Sequence, residues 1–180
     1  MSLPEAQWEA AVYCGSVNTE SEFASAQEAA NDSRILVFGR LLGAANRLEY
    51  ILARSLEDNA GLSHSLFELL LVVGRAGPSG IAARDIAQSR VLTSGGVTRI
   101  VNRAAKLGLI TRRPSEGDGR VQLIELTKHG EDILIRASSL HAQNVQRYLI
   151  DALPTDQAEV FAQAIRTLSK SAAQALPVMP

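Results

Sequence analysis

Residues 77–130 carry the pattern that narrows the fold most. A break is followed by two short amphipathic stretches and then by two β-branched segments around a glycine-rich loop. Gly77-Pro78-Ser79-Gly80 interrupts the chain, because proline lacks the N–H that a helix interior needs and glycine turns freely. Ile81 to Ser89 puts Ile81, Ala82, Ile86 and Ala87 on one side, as a short helix would. Thr93 to Leu107 puts Val97, Ile100, Val101 and Ala104 on one face, with Leu107 continuing it and Gly108 placed to end it. Leu109 to Arg113 and Val121 to Leu126 read as strands of a long hairpin. Pro114-Ser115-Glu116-Gly117-Asp118-Gly119 joins them.

The flanks read as helices. Residues 5–31 are weakly helical, with Trp8, Ala11 and Val12 at i, i+3 and i+4 and an Ala/Glu-rich stretch around Phe23. Asn31-Asp32-Ser33 suits the cap of a long helix over 34–58. Its apolar stripe (Ile35, Phe38, Leu41, Leu42, Ala45, Leu48, Leu52 and Leu56, widened by Leu36 and Ile51) is broader than one packing partner requires. Asn59-Ala60-Gly61 ends it. Ser63 or Ser65 caps a helix over 64–75, and Ser65-x-x-Glu68 fits a capping box. Thr127 caps a long helix to about Ile150. Pro154-Thr155-Asp156 opens a last one to about Ala175, bearing Val160, Phe161, Ala164, Ile165 and Leu168. Such an order of elements is mainly α, and without repeats or a low-complexity linker it reads as one continuous domain.

Charge is unevenly spread. The chain has a formal net charge of −1, but Arg75 to Lys128 holds ten basic and four acidic residues. A basic middle between acidic ends suits one region that meets a polyanion, although a solvated charged face has the same composition. The opening Met1-Ser2-Leu3-Pro4-Glu5 lacks the basic-then-apolar pattern of a secretory signal. No apolar run approaches the ~18–20 residues of a membrane span. With Cys14 the single cysteine, an internal disulfide is excluded and a cytoplasmic protein is expected. A redox role for Cys14 stays open beside a packing one. Phosphate-binding loops, zinc-spaced Cys/His clusters and nucleophile elbows are absent. His64, His129 and His141 are widely spaced, so an enzyme is not expected, and neither is a cofactor or a metal.

Two short helices and a hairpin suit a winged helix-turn-helix, in which the second helix enters the major groove of duplex DNA. Opposite the apolar face of 93–107 lie Ser94, Thr98, Arg99, Asn102 and Arg103. Small Ser94-Gly95-Gly96 would let the backbone approach a duplex. The helix start adds partial positive charge, with Thr93 as its cap. Arg112 and Arg113 stand at the base of the hairpin and Asp118-Gly119-Arg120 at its tip, where an arginine can reach a minor groove. Asp118 would repel phosphate, so a pairing with Arg112 or Arg120 is the more natural role for it. The candidate DNA-binding set is therefore Thr93, Ser94, Gly95, Thr98, Arg99, Asn102, Arg103, Arg112, Arg113, Asp118 and Arg120. An amphipathic surface helix beside an exposed loop ion pair is the plainer alternative.

In order and spacing, several runs resemble the MarR family of transcription regulators. They are Leu92-Thr93-Ser94-Gly95-Gly96-Val97-Thr98-Arg99, Leu107-Gly108-Leu109-Ile110, Arg112-Arg113-Pro114, Asp118-Gly119-Arg120 and Leu126-Thr127-Lys128-His129-Gly130. The likeness extends from about Ile35 to Leu168. Asp118 and Arg120 match the family's wing pair, while Gly119 stands where an additional arginine is frequent. The resemblance implies a homodimer built by N- and C-terminal helices, with residues 34–58 and 154–175 at the interface. The corresponding division is an N-terminal extension (1–32), a dimerisation region (33–62 and 127–176) and a DNA-binding lobe (63–126).

The resemblance further implies a repressor that leaves a pseudo-palindromic operator when a small aromatic or anionic effector binds. Trp8, Glu68 and Arg99 resemble the Trp, Asp and Arg of the urate-responsive branch, with Glu68 departing from the Asp. Packing, capping and phosphate contact are the respective plain readings of the three. A winged helix that binds protein instead of DNA is the rival class.

Overall fold

The computed structural model describes residues 22–89, 94–115, 117 and 121–175, with the side chains of 87–89, 94 and 95 left out. Among them, the element order is α1 (Ala26–Ala30), α2 (Ser33–Ala60), α3 (His64–Ala76), a 3-10 turn (Gly77–Ser79), β1 (Ile81–Ala82), α4 (Ala83–Ser89), α5 (Ser94–Lys106), β2 (Ile110–Pro114), β3 (Gln122–Leu126), α6 (Lys128–Val145), a π turn (Gln146–Ile150) and α7 (Ala158–Ala175). Contacts divide the chain into two compact units, 1–47 and 48–180.

In the first unit, Ser25 caps α1 by accepting from the Glu28 amide at 3.1 Å. Asp32 opens α2, accepting from the amides of Arg34 at 2.9 Å and Ile35 at 3.4 Å. The Arg34 guanidinium, hydrogen-bonded to Asp32, holds that carboxyl below its ordinary range. Of the weak helix expected over 5–31, the described residues show only Ala26–Ala30. Along α2, Ile35, Phe38, Leu41 and Leu42 are exposed.

The second unit holds the core. α3 is its centre, because Leu66, Phe67, Leu69, Leu70, Val72 and Val73 are all buried. Around it pack Leu56, Leu62, Ile86, Val97, Val101, Ala104, Leu109, Ile110, Ile124 and Ala137. Each large side chain buried this way contributes about 1.5–3 kcal/mol. A helix apolar on nearly all sides must be enclosed, and α3 packs against α4, α5, α6 and β3.

Two expectations need correction here. Ile81 and Ala82 are not the first turn of a helix. They form β1, pairing antiparallel with Ile124 and Leu123 of β3, so the sheet has three strands in the order β1-β3-β2. Gly80, at φ +67°, turns the chain into that strand. The capping box is also not formed, because α3 starts one residue after Ser63, and the Ser63 hydroxyl makes no capping bond but lies 3.4 Å from that of Ser65. Glu68 instead lies beside His64, Oε1 to Nε2 3.4 Å, while His64 Nδ1 lies 3.5 Å from Glu49.

Candidate nucleic-acid interface

α5 is amphipathic in the strict sense. Val97, Val101 and Ala104, at i, i+4 and i+7, are almost completely buried. Thr98, Arg99, Asn102, Arg103 and Lys106 occupy the opposite, exposed side. From Ser94 to Pro114 the chain has five basic residues and no acidic one. A cationic ridge of this kind attracts polyanions. Lys106 belongs to the ridge although sequence reasoning passed over it. Its spacing of eight from Thr98 is the signal that could have found it.

The end of α5 is built by Gly108, at φ +67°. The amide of Gly108 donates to Ala105 O and that of Leu109 to Ala104 O, both at 3.0 Å, which closes the last turn. Leu107 is therefore thrown outward, 51 % exposed, and Leu109 takes the buried position instead. This corrects the expectation that Leu107 continues the inner face.

Thr127 ties the ridge to α6. Its hydroxyl donates to Gly108 O at 2.6 Å and accepts from the Gly130 amide at 3.0 Å. Gly130 has no room for a Cβ, which would collide with the carbonyl oxygen of Leu109. The Leu-Thr-x-x-Gly run thus locks the start of α6 under the corner between α5 and β2.

β2 and β3 pair from Ile110↔Leu126 to Pro114↔Gln122, forming the base of the wing. Arg112 and Arg113 leave opposite faces of β2. Arg112 donates to Asn102 Oδ1 of α5 at 2.5 Å, linking helix to wing while both residues remain exposed. Arg113 donates to Glu125 Oε1 of β3 at 2.5 Å. Its Nη2 also reaches the carbonyls of Pro78 and Ser79 at 3.4 and 3.3 Å.

Of the sequence-derived candidates, the structure brings Thr98, Arg99, Asn102, Arg103 and Arg112 to one cationic surface and gives Arg113 partners within the lobe. Ser94 and Gly95 lie in the first turn of α5. Thr93, Asp118 and Arg120 lie outside the described residues, as does Trp8 of the effector set. Glu68 lies in α3 beside His64, and Arg99 is exposed on α5. Among the described residues no group of three His, Cys, Asp or Glu could hold a metal ion. No described helix is long and apolar enough to cross a membrane.

Residues 60–121 match the model of the MarR family. The chain is similar to the HTH-type transcriptional regulator PecS of Dickeya dadantii (strain 3937), 27% identical over 108 residues that cover 58% of this chain. The match spans 65% of the length of PecS, slightly under two thirds. Among solved structures the fold is similar to AbsC, a MarR family transcriptional regulator from Streptomyces coelicolor. The TM-score is 0.70 at 18% identity, covering 86% of this chain and 99% of that one. It is equally similar to Sco3205 from the same organism, a MarR family transcriptional regulator solved in complex with DNA. There the TM-score is 0.70 at 25% identity, covering 86% and 92%. A variant of MarR from E. coli, complexed with operator DNA, gives a TM-score of 0.65 at 21% identity over 75% and 95%. Residues 60–121 thus carry the MarR family match on a three-stranded winged lobe with a cationic helix ridge, and the fold is similar to that of solved MarR family regulators.

Proposed function

We propose that this chain is a sequence-specific DNA-binding transcription regulator. It would work as a homodimeric repressor that a small aromatic or anionic ligand releases. The observation that carries the reading is the exposed Thr98, Arg99, Asn102, Arg103 and Lys106 ridge opposite the buried face of α5. A helix held by its apolar side and polar on the other can enter a major groove, hydrogen-bonding base edges while its arginines and lysine meet phosphates. Arg112 joins the ridge at the wing base. Arg120 at the wing tip, with Asp118 shaping it, is the proposed minor-groove contact, and Thr93, Ser94 and Gly95 the proposed close-approach turn. Sco3205 and the E. coli MarR variant, both solved with DNA, support this reading.

Dimerisation would use the uncovered apolar residues of α2 and α7. Effector binding has a candidate cleft of about 380 Å³ lined by Asn59, Ala60, Ile133, Arg136 and Leu140. Apolar walls with one guanidinium and one amide suit a small anionic aromatic. A ligand favouring a half-site spacing that the operator does not match would shift the population off DNA. Such a ligand would lose affinity for Arg136→Ala.

Binding selection from random duplexes tests the function. The expected product is a pseudo-palindrome with half-sites about one helical turn, 34–36 Å, apart or a multiple of that. Recovery of no enriched sequence would overturn sequence-specific recognition.

A further inference from the structure

We propose that Arg113 is a positioning residue that sets the angle of the wing through Glu125, and is not one of the phosphate contacts. The proposal rests on the DNA-binding reading above and revises one member of its site. In the β2–β3 register Arg113 stands opposite Leu123 and Thr111 opposite Glu125, so Arg113 and Glu125 are diagonal neighbours on one face of the hairpin. The guanidinium meets the carboxylate at 2.5 Å, and the two side chains are only 37% and 22% exposed. The same guanidinium lies 3.4 and 3.3 Å from the carbonyls of Pro78 and Ser79, in the turn that leads into β1. Gly80 leaves little space beside this arrangement, since a Cβ there would stand 3.0 Å from Glu125 Cγ and 3.2 Å from Ile124 O.

One side chain therefore joins all three parts of the wing's base: β2 that carries it, β3 through Glu125, and the turn before β1. A planar fork with several donors can do this, and a single ammonium cannot. Arg112 points the other way, to Asn102 of α5, and remains on the cationic ridge. The adjacent arginines thus divide the work. Arg112 faces the polyanion, and Arg113 determines where the hairpin points.

The experiment measures affinity of the full chain for a single duplex recovered by selection, across a salt series. The variants are Arg112→Ala, Arg113→Ala, Arg113→Lys, Glu125→Ala and Arg113→Ala with Glu125→Ala. Loss of a phosphate contact should make the log–log salt slope shallower by about 0.9, and Arg112→Ala is expected to do so. Arg113→Ala and Arg113→Lys are expected to weaken binding about tenfold with the slope unchanged, the scale of one charge-assisted bond. Glu125→Ala removes a negative charge near DNA, which by electrostatics alone would tighten binding. It is expected to weaken it about tenfold as well, and the double variant no further.

Amide hydrogen exchange on the free protein supplies a readout that a phosphate contact would not move. Residues 80–82 and 122–126 should exchange faster in Arg113→Lys and unchanged in Arg112→Ala. A shallower salt slope in Arg113→Ala, with full affinity in Arg113→Lys and Glu125→Ala, would overturn the proposal. If exchange accelerates as expected but the wild-type chain binds no duplex, the DNA reading fails and the positioning role with it. If the duplex is bound but exchange is unchanged, the proposal alone fails.

Discussion

At Gly130 one hydrogen atom decides how α6 meets the lobe. A Cβ there would run into Leu109 O, which is backbone and cannot move aside. Gly130→Ala is expected to lower stability by about 1–3 kcal/mol, the cost of overpacking, measured as a shift of the urea midpoint. His141 is a second sensitive residue. Its ring lies 4.8 Å from that of Phe67, and its Nδ1 is buried without a hydrogen-bond partner among the described residues. Burial, and then the neighbouring His64, itself flanked by Glu49 and Glu68, hold its pKa below the ordinary 6.5. The unfolded chain then binds the proton more readily than the folded one. Stability from this group is complete above the unfolded pKa and falls as the pH drops through and below it. Urea melts at about pH 7.5 and 5.5 should show a loss on acidification that His141→Phe reduces, where 6.5 is the ordinary imidazole value. An equal loss in that variant would contradict the assignment. Some of this was legible beforehand. The stop at Gly108 and the cap at Thr127 follow from glycine conformation and hydroxyl chemistry. The orphaned His141 nitrogen was not, because it depends on what α3 and α6 bring together.

At the scale of elements, α5 was the most readable part of the sequence. Val97, Val101 and Ala104 repeat with the period of a helix and are buried on schedule, so the segment expected over 93–107 is found over 94–106. Its last turn was misread, because periodicity cannot see that Gly108 redirects the chain and gives Leu109 the place expected of Leu107. β1 was invisible for a different reason. Two residues have no period, and Ile81 and Ala82 are a strand only through partners more than forty positions away. Glu68 fitted a capping box by spacing, yet the helix begins at His64 and its side chain meets that imidazole. For the proposed recognition helix, Arg103→Ala should reduce affinity and make the salt slope shallower by about 0.9 if it meets one phosphate. Thr98→Ala should alter sequence preference, with each lost base contact costing about 1–3 kcal/mol, read by competition between duplexes.

At the scale of the whole molecule, the first unit and α7 leave apolar side chains uncovered. α7 has eighteen residues with none buried, and Val160 and Leu168 are 65% and 55% exposed. In the first unit, Ile35, Phe38, Leu41 and Leu42 are likewise open. Apolar patches on this scale mark association surfaces more often than bare surface. The wide stripe of α2 was visible in the sequence, whereas a second copy is not something periodicity can supply. For the proposed dimer, Leu168→Glu is expected to raise the monomer fraction in sedimentation and to weaken the proposed operator binding in parallel. A dimer of unchanged stability would remove α7 from the proposed interface.

Salt-resolved binding of the full chain to a selected duplex tests the cationic ridge most directly. The expected result is tight binding at about 50 mM salt that weakens steeply, by a factor of about 10³ or more at 200 mM, as counterions released at several phosphates require. Joint replacement of Arg99, Arg103 and Lys106 by Ala should flatten that dependence. Absence of affinity for any duplex at low salt, or an affinity indifferent to salt, would contradict it.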